Sequence, residues 1–526
     1  MKKNNLDPLD EQGKNGNLFT KEKYSKSYKE YAKMWSQLPL YTNKKEMSNL
    51  LDSIKENQIT LLISGTGSGK TVLVPKFLLK YFIENNTEKI KIAITNPKTL
   101  TTIYNADFAA KTLDVPLGSF VGYKYRGSPE NMVSDNTNLL YMTDGLLLAQ
   151  ITKGDTLLSE YSGIIIDEAH ERQVPIDMLL FYLKHILKNR PEFKLIIMSA
   201  TIDSNIFKNF YESEGIKFNT VLVSGQSNQP IESIFLKEAD KINMYNYMDI
   251  GISIILKLLD ETTTGDILMF VTTQKETEIG CKKLAALCKN KVRTADVCDE
   301  YYCAEVYGKM SEDKKPYAVD AAEYKKLNKR YKRKIIFATN VAESSITIDG
   351  IIYVIDTGLE FFGYFDYNKY ANVMEKRYIS KAQVKQRMGR AGRTKPGVCY
   401  HLYSESKYNS LEDFPSPAIS TSNLTDTFLS LIKTQKYMSD AIKIAKNLIT
   451  PMTELQITST IRYLHFNNLI KILELDKPQS GGADDDIVIG EIYDFAQQQH
   501  GGEATYLPYP INYNKLENYE GTTTTI

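Results

Sequence analysis

Residues 59–71 read Ile59-Thr60-Leu61-Leu62-Ile63-Ser64-Gly65-Thr66-Gly67-Ser68-Gly69-Lys70-Thr71, and Val72–Tyr81 continues with helical text. A short apolar run thus delivers the chain into a Gly-rich loop that opens a helix, the context a phosphate loop requires. Small residues let successive backbone N–H groups curl around a phosphate, and the helix N-terminus adds its positive end. Ser64, Gly65, Thr66, Gly67, Ser68, Gly69, Lys70 and Thr71 are therefore the candidate nucleotide-binding residues. Lys70 is expected to reach the β/γ-phosphates and the Thr71 hydroxyl to ligate Mg²⁺. Ser64 stands where the first Gly of GxxxxGK[ST] would be; serine takes many of the same conformations, and Gly65 follows it. The plainer alternative is a Gly-rich surface turn.

Ile164-Ile165-Ile166-Asp167-Glu168-Ala169-His170-Glu171-Arg172 is the second stretch that carries chemistry. Three β-branched residues end a strand, and two adjacent carboxylates stand at the carboxyl edge of the sheet, where open α/β sheets bind ligands. Asp167 is expected to hold Mg²⁺ and Glu168 to approach the same ion and activate the attacking water. Phosphoryl transfer needs both charge neutralisation and an oriented nucleophile. Arginine placement is the third signal. Eleven of the 65 basic residues are Arg, yet three of them fall in Gln386-Arg387-Met388-Gly389-Arg390-Ala391-Gly392-Arg393. A Lys-rich chain that switches to Arg at one spot needs planar, bidentate phosphate contact.

Working outward, short apolar runs recur at Lys91–Thr95, Gly163–Ile166, Lys194–Met198, Ile267–Val271, Lys334–Ala338 and Ile351–Ile355. Separated by amphipathic helical text, they predict parallel sheets buried on both faces. The expected organisation is a disordered lead and peripheral helix over 1–45, α/β blocks over 46–222 and 223–405, a small mostly helical module over 406–475, and a partly disordered tail over 476–526. Composition is that of a folded soluble chain, 42% hydrophobic and 25% charged. A net charge of +1 excludes a histone-like polycation but leaves room for a local basic groove. No apolar run approaches the length of a membrane span, and Lys2 and Lys3 have no apolar stretch behind them, so a non-secreted chain in the cytoplasm or nucleus is expected. Of five Cys, four lie within Cys281–Cys303; a zinc site there is the alternative, but the spacing fits no usual knuckle, so they are read as reduced thiols.

The ordered set of motifs resembles the DEAH-box (DExH) helicases of superfamily two over about residues 38–425. Its members are the phosphate loop, Thr95-Asn96-Pro97-Lys98, Val121-Gly122-Tyr123-Lys124-Tyr125-Arg126, Thr143-Asp144-Gly145-Leu146-Leu147, Asp167-Glu168-Ala169-His170 and Ser199-Ala200-Thr201. The second block adds Gly265–Phe270, Ala338–Gly350 and Gln386–Arg393. The resemblance implies two tandem RecA-like domains followed by a winged-helix-like module, using ATP or another NTP with Mg²⁺. It implies translocation on a single strand of RNA or DNA, 3′ to 5′. In that frame Gln386 orients the lytic water, and Arg390 and Arg393 stabilise the γ-phosphate. His170, Ser199 and Thr201 couple hydrolysis to movement; Lys98, Arg126, Thr143 and Thr339 touch the nucleic-acid backbone; and Asp349 sits by the ribose.

Some positions depart from the family. Lys98 replaces an expected Arg. Phe108 falls where an Arg would stack on the nucleotide base, and an aromatic ring can stack as well. The aromatic segment Gly358–Ser380 is either a strand-separating hairpin or an ordinary one packed on the sheet. About 120 residues follow Tyr403, enough for the winged-helix-like module but not for the family's helical bundle and terminal barrel. From this the resemblance implies a shortened helicase with inefficient unwinding unless an activating partner protein supplies the missing wall. Alternative expectations are a nucleoprotein-remodelling NTPase without processive unwinding, and a catalytically dead scaffold. The Lys-, Asn-, Ile- and Tyr-rich usage is that of an AT-rich genome, such as that of a large cytoplasmic DNA virus, with its viral factory and virion, or of an AT-rich eukaryote.

Overall fold

The computed structural model describes residues 7–65, 67–224, 229–237, 245–290, 300–308, 310, 311, 313–320, 322–344, 348–392, 395–435, 437–473 and 488–490. Thr66, Arg393 and nearly all of the 476–526 tail lie outside the described residues.

Seven strands form the first sheet: β1 Ile59–Ser64, β2 Ile92–Asn96, β3 Val121–Lys124, β4 Leu139–Thr143, β5 Gly163–Ile166, β6 Lys194–Ser199 and β7 Phe218–Val223. Their order is β3-β4-β2-β5-β6-β1-β7, parallel throughout. The central strands are buried along their whole length, which is why their sequences are continuous apolar runs. One face is covered by α1 Lys26–Trp35, α2 Pro39–Thr42, α3 Lys44–Glu56, α4 Lys70–Glu84 and α5 Thr99–Leu113. The other carries α6 Asp144–Lys153, α7 Val174–Asn189 and α8 Ser204–Glu212.

The second sheet is parallel in the order β10-β11-β9-β12-β15-β8. Its strands are β8 Ile231–Phe235, β9 Asp266–Phe270, β10 Tyr301–Val306, β11 Arg333–Ala338, β12 Ile351–Asp356 and β15 Gly397–His401. Helices α9 Tyr247–Glu261 and α10 Gln274–Asn290 pack on one face. Between β12 and β15 the antiparallel pair β13 Leu359–Asp366 and β14 Ala371–Tyr378 stands out as a hairpin. Its tip packs on the C-terminal module instead of on the sheet. The Tyr367 hydroxyl donates to the Ser422 carbonyl at 3.0 Å, and Tyr370 stacks on Tyr463 at 4.3 Å.

The module consists of helices Thr425–Thr434, Met438–Lys446 and Glu454–Phe466 with a small pair, β16 Lys471–Leu473 and β17 Val488–Gly490. Thr453 and Gln456 close a capping box at the start of the last helix. The module is thus mostly helical, with one short antiparallel strand pair. The module's core includes Met178 of α7, so it docks on the first block.

Two expectations are corrected. Residues 7–20, read as a disordered lead, are folded: Leu9 and Leu18 are buried in the first core, and the Asn17 amide donates to the Leu113 and Asp114 carbonyls at 3.0 Å. Single anchors spaced among polar residues do not show in an averaged composition. Reduced thiols do not hold for one pair, since Cys281 on α10 and Cys303 on β10 are joined by a disulfide, while Cys399 is free and buried. The packing of α10 on an edge strand, which sequence spacing cannot show, brings that pair together.

Candidate nucleotide and nucleic-acid site

Strand β1 ends at Ser64, and the loop turns on Gly67 and Gly69, at φ 76° and 94°, before α4 begins at Lys70. Left-handed backbone at alternate positions favours glycine and makes the concave row of N–H groups that holds an anion. Ser64 is buried and accepts from the Ser68 hydroxyl at 3.0 Å, so the serine in the first glycine's place braces the loop from inside.

Strand β5 carries the two carboxylates to the same edge. Asp167 is buried; its Oδ2 accepts from the Thr71 hydroxyl at 3.2 Å and from the Asn96 amide at 3.5 Å, and its Oδ1 accepts from the Glu168 N–H at 2.9 Å. Burial and the neighbouring Glu168 push the Asp167 carboxyl up to about 7. A buried, hard-oxygen pair of Thr hydroxyl and Asp carboxylate fits Mg²⁺, whose charge would relieve that burial.

Glu168 takes a left-handed backbone, φ 55°, which turns its carboxylate to Lys70 at 3.4 Å and to His170 at 3.3 Å. Burial raises the Glu168 carboxyl, but Lys70, His170 and Lys98 outweigh it and hold it below the usual range. Burial lowers His170. The His170 Nδ1 also accepts from the Ala200 N–H at 3.5 Å, and the Ser199 hydroxyl donates to the Thr201 carbonyl at 3.2 Å. Thus His170, Ser199 and Thr201 meet beside the carboxylates.

The four residues expected at nucleic acid all stand at carboxyl ends of strands. Lys98 follows β2 and pairs with Glu171 at 3.2 Å; Arg126 follows β3 and is exposed; Thr143 ends β4; Thr339 follows β11. Asp349, expected at the ribose, is exposed just before β12. A cavity of about 410 Å³ opens between Thr71 and Val72 on α4 and Tyr104, Asn105 and Phe108 on α5. Its size lies in the range of ordinary ligand pockets, roughly 300–1,000 Å³.

On the second block, helix Lys381–Met388 starts with a Ser380–Gln383 capping box and carries Gln386, half-buried. Its arginines divide their labour. Arg387 is fully buried, paired with Glu343 at 2.7 Å and Asp356 at 3.0 Å, and lies over the Phe270 ring. Burial raises Asp356, but His401, Arg387 and Tyr403 outweigh it and hold that carboxyl down at about 2. Arg387 therefore anchors the block's core and is not a phosphate contact. Arg390 is also buried and donates to the Glu343 carbonyl.

Sequence reading missed Asn96, Glu171 and the buried use of Arg387. Only the strand-end position of Asn96 carried a hint.

Two parallel sheets in tandem, the first ending in a phosphate loop beside an Asp–Glu pair, define a RecA-like nucleotide-binding protein. The DEAD/DEAH box helicase family matches residues 45–209, and the helicase conserved C-terminal domain matches residues 251–395. Acanthamoeba polyphaga mimivirus has a relative named "Putative ATP-dependent RNA helicase L540", 36% identical over 466 residues, which are 88% of this chain and 64% of that protein. The crystal structure of the E. coli DExH-box NTPase HrpB aligns with a TM-score of 0.67 at 25% identity, over 83% of this chain and 49% of that one. Together these matches support a DExH-type helicase of superfamily two. The chain spans less than two thirds of the length of either relative.

Proposed function

We propose that the chain is an ATP-dependent RNA helicase, hydrolysing ATP to move along a single strand and displace what is paired or bound to it. The observation that carries this is the joint placement of Thr71 on Asp167 and Lys70 on Glu168. Lys70 and the loop N–H groups bind the β/γ-phosphates, and Thr71 and Asp167 would hold Mg²⁺. When bound, that ion neutralises phosphate charge. Glu168, kept ionised by Lys70, takes the proton of the attacking water, and incoming phosphate draws Lys70 away so that the base is free. Gln386 orients that water. Arg390, with Arg393, reaches the γ-phosphate once Arg390 leaves the Glu343 carbonyl, which makes closure of the two blocks part of the cycle.

The strand lies along the carboxyl ends of both sheets, on Lys98, Arg126, Thr143 and Thr339. Contacts of this type hold a backbone without reading its sequence. An RNA duplex with a 3′ single-stranded overhang tests the reading. Wild-type chain with ATP and Mg²⁺ should displace the paired strand, and Lys70→Ala should not. Displacement by Lys70→Ala at the wild-type rate would refute it.

A further inference from the structure

Residues 25–42 run from the far end of α5 to the phosphate loop, packing on Phe108 of the candidate nucleotide cavity and on Ser68 and Gly69 just before it. Ser25 is bound to Asp114, just beyond α5, through its N–H and its hydroxyl, both at 2.7 Å. Along α1, Tyr31 stands edge-on to Phe108, ring centres 6.0 Å apart at 85°. Trp35 is fully buried, and Lys76 of α4, lying by its ring at 5.5 Å, donates to the Thr112 carbonyl at 2.8 Å, so α4 and α5 are tied together beneath the strap. Leu38 then fills the space beside Gly69, where a Cβ would meet Leu38 at 2.8 Å, and the Leu40 N–H donates to the Ser68 carbonyl at 3.0 Å.

The cavity begins at Thr71 and reaches Phe108. A ring that stacks on a base gains only what its own fixed orientation allows, because an unsupported side chain must first be ordered. Tyr31 supplies that support from outside α5. At the other end, Gly69 and Ser68 set the curvature of the loop, and Leu38 and Leu40 fix both of them.

We propose that residues 25–42 are a positioning strap for the nucleotide, with Tyr31 setting the base-stacking ring of Phe108 and Leu38–Leu40 setting the phosphate loop. This rests on the nucleotide reading of the site. The Tyr31 end acts on binding and not on chemistry, because its contact is with Phe108, whereas Asp167 and Glu168 are oriented by Thr71, Asn96, Lys70 and His170.

The test uses the full chain, N-methylanthraniloyl-ADP with Mg²⁺ as the probe, and inorganic tripolyphosphate, which has no base, as competitor. Tyr31→Ala should weaken the fluorescent nucleotide about fivefold, the worth of one aromatic pair, and leave tripolyphosphate unchanged. It should raise KM for ATP while kcat holds, and Tyr31→Phe, which keeps the ring, should bind as wild type. Leu38→Ala should weaken both ligands. Should Tyr31→Ala fail to fold, Tyr31→Leu takes its place. Wild-type affinity for both ligands in the Tyr31 and Leu38 variants would overturn the strap. Failure of the wild-type chain to bind the fluorescent nucleotide would instead overturn the nucleotide reading beneath it.

Discussion

Glu168 shows how little freedom the proposed base has. Its left-handed backbone, the Lys70 ammonium on one oxygen and His170 on the other leave one orientation, toward the loop. Glu168→Gln keeps that shape and removes the proton acceptor, so nucleotide affinity should persist while turnover stops. Equilibrium binding and single-turnover hydrolysis measured on one preparation separate the two. Arg390→Lys keeps the charge and loses the planar fork, and its hydrolysis rate should fall on the order of 10³-fold. Away from the site, burial pushes Lys76 down to about 7. The unfolded chain then binds more protons than the folded one between about pH 7 and the ordinary lysine value, so folding stability rises with pH across that window and is lost as pH falls through 7. Lys76→Met removes this contribution. Its unfolding midpoint should gain on wild type at pH 7 and lose that advantage by pH 10, as followed by thermal melts across that range.

Among elements, the segment after the Asp-Glu-Ala-His motif joins the nucleotide site to the C-terminal module. The Arg172 guanidinium forms a two-pronged pair with Asp177 at 2.7 and 2.8 Å and donates to the Thr450 hydroxyl at 2.7 Å, while the Arg172 backbone carbonyl accepts from the Ala418 N–H at 3.0 Å. Arg172→Ala would strand Asp177 in the core and should cost roughly 3–5 kcal/mol, read as a lower denaturation midpoint. The same comparison shows what sequence could and could not reveal. All seven runs expected as strands are strands, because central parallel strands are buried on both faces and must be continuously apolar. Strands β3, β4, β7, β8, β10 and β15 escaped notice. The edge strands among them tolerate polar residues, such as Glu232 and Ser233 in β8 and Glu305 in β10, a reason that does not cover the inner strands β4 and β15. The loop at 64–71 and the carboxylates at 167 and 168 were legible because their chemistry needs neighbouring residues. Asn96 on Asp167, Arg387 in its buried network, and Tyr370 on Tyr463 were not, since each joins residues that only the fold makes neighbours.

For the whole molecule, a net charge of +1 means that strand binding rests on a few placed groups instead of a general positive field. On the proposed reading those groups hold phosphates, so binding should be indifferent to base sequence and should weaken as salt rises. In the proposed arrangement both sheets offer their carboxyl ends to the strand, and the first holds the phosphate loop at that edge, so strand occupancy and hydrolysis would share one set of strand ends. Coupling between the two is the central claim. Its most direct test is the steady-state rate of ATP hydrolysis by the purified wild-type chain, with and without single-stranded RNA of mixed sequence at low salt. The account predicts a slow basal rate that RNA raises severalfold or more, with the stimulation fading as salt is increased. A rate that is the same with and without RNA, at salt low enough for the strand to bind, would contradict it.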